Sequence, residues 1–352
     1  MKFLRWFIII LLLAGGVVLC VIRWQAWFGM PAEPKWTGDT LYYHFNCFGD
    51  DTIPHFIRTE EGWQDTQEPA ILRIVLFGDV HNSLTTAELD TIAARHDTID
   101  AYAQVGDMIE RNYFYYQQKL MHEVAPSKFA DIPLMATPGN HEYIKGIVPR
   151  IDNSWFTIFH NPMNGPVDFK GSSYYVDFPK LRFIVIDTQG LFRIRDYTRV
   201  LTWYNRARQT AGDRFVVAMM HHPIYSCGKG RQNLLLRLYF RRALSKADLV
   251  FAGHDHNYAR RTPFVDTNSA KKFYRHNYHP RFEKIGENTR FYEVLSLSGR
   301  TLLMQTFILE TGELYDEVLI CPEVDAKVLE HRQELSGFEV LEFGDTCTSV
   351  AQ

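Results

Sequence analysis

Along most of the chain, short apolar runs alternate with stretches of helical spacing. Ile71–Phe77 is apolar except for Arg73, which predicts a buried strand. Ala87–His96 has a helical pattern. Ala101–Val105 predicts a second strand, a helical segment runs from about Tyr113 to Val124, and Pro133–Thr137 predicts a third strand. Ser173–Phe178 and Leu181–Ile186 are close enough in sequence to pair. Phe215–Met220, a helix over Leu234–Leu244 and a strand over Ala247–Ala252 continue the alternation. Arg290–Leu297, Leu302–Leu309 and Glu313–Ile320 then read as three strands without intervening helices, with Glu310-Thr311-Gly312 as the last turn. Strand, helix, strand in repetition predicts an α/β layered domain.

The N-terminus breaks this pattern. No charge falls between Arg5 and Arg23, a span at the short end of what crosses a bilayer. Trp24, Trp27 and Phe28 extend it with interfacial aromatics. We read a retained transmembrane helix here. A cleaved signal is the alternative, and Leu19 is bulky for a lipoprotein site before Cys20. Lys2, Arg5 and the amino terminus outweigh Arg23, so the positive-inside rule puts residues 30–352 on the extracytoplasmic (periplasmic or extracellular) side of a cell membrane. The expected organisation is an N-terminal tip and anchor (1–28), a linker packed on the main domain (29–66) with a short strand at Leu41–Phe45, the main domain (67–321), and a polar tail (322–352).

Net charge is −3, from 38 basic and 41 acidic residues, so no nucleic-acid footprint covers the surface. Aromatics at 14 % argue against disorder. Cys47, Cys227, Cys321 and Cys347 lie beyond the anchor. They allow two disulfides in three connectivities, or free thiols, and show no zinc-binding spacing.

The chemistry sits at the strand ends. Gly78-Asp79-Val80-His81-Asn82 follows the first strand and Gly106-Asp107-Met108-Ile109-Glu110-Arg111 the second. Pro138-Gly139-Asn140-His141-Glu142 follows the third. His221-His222-Pro223 and Gly253-His254-Asp255-His256-Asn257 follow two later strands. Ligands of open α/β sheets bind outside the carboxyl ends of the strands. Imidazole and carboxylate together suit Mn, Fe or Zn. A lone Gly-Asp is usually a turn and a lone His-His-Pro usually a surface loop; five such clusters in this order are not accounted for by packing.

This ordered set resembles the calcineurin-like metallophosphoesterase superfamily over roughly residues 70–321. The resemblance implies a two-sheet β-sandwich flanked by α-helices. It implies two divalent or trivalent metal ions, with Asp79, His81 and His256 on the first, Asp107 bridging, and Asn140, His221 and His254 on the second. His141 would act as general acid or stabilise the transition state. A metal-bound hydroxide would attack the phosphorus in line. Purple acid phosphatases, one branch, carry a tyrosine three residues after the bridging aspartate and lack the histidine of Asp-x-His; here those positions are Glu110 and His81. The departures are complementary and imply no tyrosinate colour. Tyr113, Tyr115 and Tyr116 are the nearest phenols that could restore such a ligand.

Arg111 stands where the protein serine/threonine phosphatase branch grips phosphate, or is a solvated arginine. His222 is a candidate substrate contact that Pro223 could instead turn away. Cys227-Gly228-Lys229-Gly230-Arg231 reads as a solvated loop before an anion holder. The basic and aromatic stretch Lys271–Arg281 reads as a folded insertion without specific lipid contact. The implied substrate is a phosphorylated small molecule, lipid or glycan. The competing readings are a catalytically inactive binding module and a cytoplasm-facing lipid-precursor pyrophosphate hydrolase.

Overall fold

The computed structural model describes residues 56–59, 62–65, 71–96, 98–110, 132, 134–144, 148–151, 155–156, 159, 161–278 and 281–321. The expected anchor, most of the linker with its strand at Leu41–Phe45, Arg111, the Tyr113–Val124 helix with its tyrosines, and the tail lie outside these residues. Among the described residues, no helix is long and apolar enough to cross a membrane.

In chain order the strands are β1 (Phe56–Thr59), β2 (Gly62–Asp65), β3 (Leu72–Phe77), β4 (Ala101–Gln104), β5 (Leu134–Ala136), β6 (Tyr143–Ile144), β7 (Arg150–Ile151), β8 (Tyr174–Phe178), β9 (Leu181–Ile186), β10 (Phe215–Met220), β11 (Leu249–Ala252), β12 (Tyr258–Arg261), β13 (Phe264–Asp266), β14 (Lys284–Gly286), β15 (Phe291–Ser298), β16 (Thr301–Ile308) and β17 (Leu314–Ile320). The helices are α1 (Thr86–Arg95), α2 (Ile194–Gln209) and α3 (Leu234–Leu244). Nine strands form one sheet in the order β1-β2-β8-β9-β10-β11-β13-β12-β14, and six form another in the order β17-β16-β15-β3-β4-β5.

The core follows from the side-chain period of two along each strand. Ile74 and Leu76 of β3, with Leu295 and Leu297 of β15, face Val217 and Met219 of β10 and Phe251 of β11 between the sheets. Val75 and Phe77 point the other way, onto Leu89 and Ile92 of α1. The outer face of the larger sheet packs Ile184 and Ala218 against Val200 and Tyr204 of α2 and Leu236 and Phe240 of α3. Every residue of β9 and β10 is buried. That is why Phe215–Met220 is apolar throughout: a central parallel strand has no wet face. Its one charged counterpart in β9, Arg182, reaches Asp177 with two hydrogen bonds of 2.5 Å.

Several elements differ from the sequence expectation. The 16 residues of α2 carry no expected element; the helix buries Tyr197, Val200, Tyr204 and Ala207 on one face, but Arg195, Arg199, Arg206 and Arg208 are interspersed among them. Strands β12, β13 and β14 carry no expectation either: β12 and β13 pair antiparallel as neighbours in sequence and β14 adds to β12, but runs of three or four residues are too short to show an alternation. Within the expected linker, β1 and β2 pair antiparallel and β2 pairs with β8. Cys321 is disulfide-bonded. Cys227 is a buried free thiol, so the partner of Cys321 lies outside the described residues.

Candidate metal centre

Strands β3, β4 and β5 run parallel, as do β9, β10 and β11. All five predicted clusters therefore leave strand ends of the same sense, three from the smaller sheet and two from the larger. The loops lock together by backbone bonds. Val80 and His81 donate N–H to Asp107 O at 3.1 and 2.9 Å, and Gly253 donates to His221 O at 3.0 Å. Asp79 Oδ2 accepts from His254 N at 2.6 Å, which joins the two sheets.

The backbone is held in an uncommon form here. His81, Asn82, Asp107, His254 and His256 have φ between 48° and 71°, in the left-handed region. Non-glycine residues there are sparse and cluster at functional sites. Gly106 has φ 104°, and a Cβ on it would lie 2.7 Å from His221 Nδ1, so only glycine fits.

All seven predicted ligands converge. His81 Nε2 faces His256 Nε2 at 3.0 Å and lies 3.6 Å from Asp107 Oδ2. His256 Nε2 is 3.9 Å from Asp79 Oδ2. On the other side, His221 Nε2 lies 3.4 Å from the same Asp107 Oδ2, 3.1 Å from Asn140 Oδ1 and 3.1 Å from His254 Nδ1. Asn140 Oδ1 is 3.0 Å from His254 Nδ1. Asp79, His81, Asp107 and His256 form one group able to hold an ion, and His221, His222 and His254 another.

The ligand imidazoles differ in charge. Burial pushes the imidazole of His81 down to about 4 and that of His256 to about 3, so both present neutral rings. Burial also disfavours the charge on His221, but Asp107, Asp79 and Glu142 outweigh it and lift the group to about 9. Burial works against the Asp107 carboxylate as well, yet the His221, His141 and His81 rings hold it below its usual range. Asp79 Oδ1 is buried without a hydrogen-bond partner. An unpaired carboxylate oxygen is costly in low dielectric, burial pushes the Asp79 carboxyl well up, and a cation beside the facing imidazole nitrogens would satisfy it in its ionised form. The donor set therefore fits two metal ions.

Outer partners aim the rings. His221 Nδ1 is 3.1 Å from Val105 O, and His256 Nδ1 is 3.0 Å from Lys272 O. Glu110 Oε2 approaches His81 Nδ1 to 3.1 Å. Glu110, three residues after Asp107, thus lies against the His81 ring.

His141 donates its backbone N–H to Asp107 Oδ1 at 2.8 Å, its Nδ1 contacts Glu110 O, and its Nε2 lies 3.9 Å from Asp107 Oδ2. His222 is not turned away: its ring lies 4.4 Å from that of His254, and its Nδ1 is 3.0 Å from Thr188 Oγ1. Burial, then the neighbouring His221, pushes it down to about 3.

Two groups without an expected role prove structural to the site. Glu142 accepts from the backbone N–H of Asp107 at 2.9 Å, Gly139 at 2.7 Å and Ile109 at 3.3 Å, pinning two ligand loops to each other. Asp255, between the two ligand histidines, accepts from Ser226 Oγ at 2.6 Å and Gly228 N at 2.7 Å. Cys227 and Gly228 are thereby buried, against the solvated reading, while Lys229 and Gly230 stay exposed as expected. Arg231 Nη2 lies 2.9 Å from His254 Nε2 and donates to His254 O at 2.7 Å, and its guanidinium stacks on Tyr274 at 4.3 Å. Tyr274 also packs on the His256 ring at 4.4 Å, so the described part of the expected insertion covers one wall of the centre. Only long-range loop packing reveals these contacts.

A sandwich of two mixed sheets whose strand ends gather aspartate, asparagine and histidine around two adjoining donor groups defines a metal-dependent phosphoesterase fold. The profile of the calcineurin-like phosphoesterase family matches residues 72–258, and the chain belongs to that family. Among solved structures it is similar to the purple acid phosphatase PPD1 from seeds of yellow lupin (Lupinus luteus), at 14 % identity and TM-score 0.54, over 74 % of this chain and 56 % of that one. The chain thus spans little more than half the length of the lupin enzyme. It is likewise similar to GAP50, the anchor in the inner membrane complex of Plasmodium, at 15 % identity and TM-score 0.53, over 79 % of this chain and 100 % of that one. At these identities the likeness is one of fold. Compared by sequence with curated proteins, the chain has no match.

Proposed function

We propose that the chain is a membrane-anchored phosphoesterase that hydrolyses phosphate esters at a paired-cation site. One observation carries the reading: Asp107 Oδ2 lies 3.6 Å from His81 Nε2 and 3.4 Å from His221 Nε2, so one carboxylate oxygen faces both donor groups. Asp79, His81, His256 and Asp107 would hold one ion, and Asp107, Asn140, His221 and His254 the other. Bound there, two cations neutralise phosphate oxygens and lower the pKa of water toward neutrality.

The protein side chains do the rest. Glu142 and the left-handed loops fix the donors before substrate arrives, so no reorganisation accompanies the reaction. His141 places Nε2 3.9 Å from Asp107 Oδ2, on the side from which a general acid would meet the departing alkoxide. Neutral His222 offers Nε2 to a phosphate oxygen, with Nδ1 tied to Thr188. Arg111 is the further phosphate contact proposed from sequence. A binding-only module would tolerate a lost ligand, and none of the seven is missing. The disulfide at Cys321 supports an oxidising, extracytoplasmic compartment.

The test is metal analysis of the purified chain coupled to a panel of phosphomonoesters and phosphodiesters with added Mn, Fe or Zn. Two metal equivalents and hydrolysis that disappears on chelation are expected. One equivalent, or turnover indifferent to chelator, would sink the reading. His141→Ala should slow poor leaving groups far more than good ones; equal slowing removes it as the acid.

A further inference from the structure

Helix α3 has the sequence LLLRLYFRRAL. Its buried side is Leu236, Phe240, Ala243 and Leu244. On the other side Leu234 is 69 %, Leu235 52 % and Leu238 76 % exposed. An α-helix turns about 100° per residue, which puts these leucines with exposed Arg241 and Arg242 on one continuous face. Large leucines left in water on a single face mark an interaction surface.

Charge identifies the partner. Between Asp213 and Asp248 the chain holds seven basic residues and no acidic one. Arg237 and Arg261 flank the Tyr225 ring next to α3, at 4.9 and 4.0 Å. Leucines interleaved with arginines, and no carboxylate, suit a helix lying in the headgroup region, its apolar side chains in the acyl boundary and its guanidinium groups at phosphate level. The position matters too. The N-cap of α3 is Asn233, two residues beyond Arg231, whose guanidinium lies against His254.

We propose that this face of α3 docks on an anionic lipid surface and sets the mouth of the metal centre against the headgroups. The docking stands on the helix alone; the consequence, a lipid-borne phosphate ester as substrate, rests on the function proposed above. The test uses the full chain reconstituted into vesicles, with a solvatochromic label at Leu238→Cys, the same label at Leu314→Cys as the control on the far edge of the smaller sheet, and the unsubstituted chain as background. With phosphatidylglycerol present, the label at position 238 should shift to the blue and be quenched by nitroxide lipids, and the label at 314 should do neither. Neutralising two arginines, in R241Q/R242Q, should weaken docking roughly 25-fold, since each contributes about fivefold near an anionic surface. A label at 238 as wet as the one at 314 overturns the proposal. So does a blue shift that appears without lipid and grows with protein concentration, which assigns the face to a second copy. Aryl phosphate hydrolysis is read on the same samples: docking without hydrolysis supports the surface and refutes only the catalytic reading.

Discussion

Glu293 places a carboxyl group in the middle of the sandwich. It sits on β15 opposite Leu76 of β3 and Thr306 of β16, fully buried, with neither side-chain oxygen hydrogen-bonded. Burial raises it from 4.5 to about 8; the Thr267 hydroxyl works against this and the Asp316 carboxylate adds to it. A carboxyl whose folded value lies above its unfolded one binds its proton more tightly in the native state. Its contribution is whole below the unfolded value and is lost as pH rises through about 8. At about 1.4 kcal/mol per unit, the loss totals about 5 kcal/mol, a large part of the stability of an ordinary domain. Glu293→Gln keeps the shape and removes the titration. Urea unfolding followed by tryptophan fluorescence, at matched metal content, should show the variant gaining on the parent by about 1.4 kcal/mol per pH unit from about pH 5 to about pH 8, then levelling. A difference that stays flat across that range refutes the argument.

Three further outcomes are expected. Asp107→Asn should abolish hydrolysis and reduce bound metal below two equivalents; wild-type turnover contradicts the bridging role. Glu142→Ala leaves three backbone donors buried without acceptors and should cost at least about 3 kcal/mol in urea unfolding, with metal affinity falling alongside. Arg182→Ala strands the Asp177 carboxylate inside the larger sheet and should cost about 3–5 kcal/mol without changing the metal content.

The sequence made the centre legible because its donors are strand-end residues. A buried strand announces itself by composition, and the residues just past its last apolar position must stand at the sheet edge. Asp79, Asp107, Asn140, His221 and His254 all obey this, and the structure brings them together. Contacts between loops carry no such period. Arg231 and His254 are 23 positions apart with α3 and β11 between them, so their meeting could not be read from spacing. Glu142 was visible in its motif, yet a buried carboxylate serving three amides looks the same in sequence as an exposed one. Helix α2 hid for another reason: Tyr197, Val200, Tyr204 and Ala207 have helical spacing, but the surrounding arginines swamp it over a short window.

The seven donors are divided between leaves: Asp79, His81, Asp107 and Asn140 hang from the six-stranded sheet, His221, His254 and His256 from the nine-stranded one. Each proposed ion would therefore take ligands from both and would act as a rivet through the sandwich. Slippage of one leaf over the other would pull the donors of both groups apart together. Metal affinity then becomes a gauge of leaf alignment, and core substitutions far from the centre, such as those trimming Leu295 or Val217, should surface first as leaking metal.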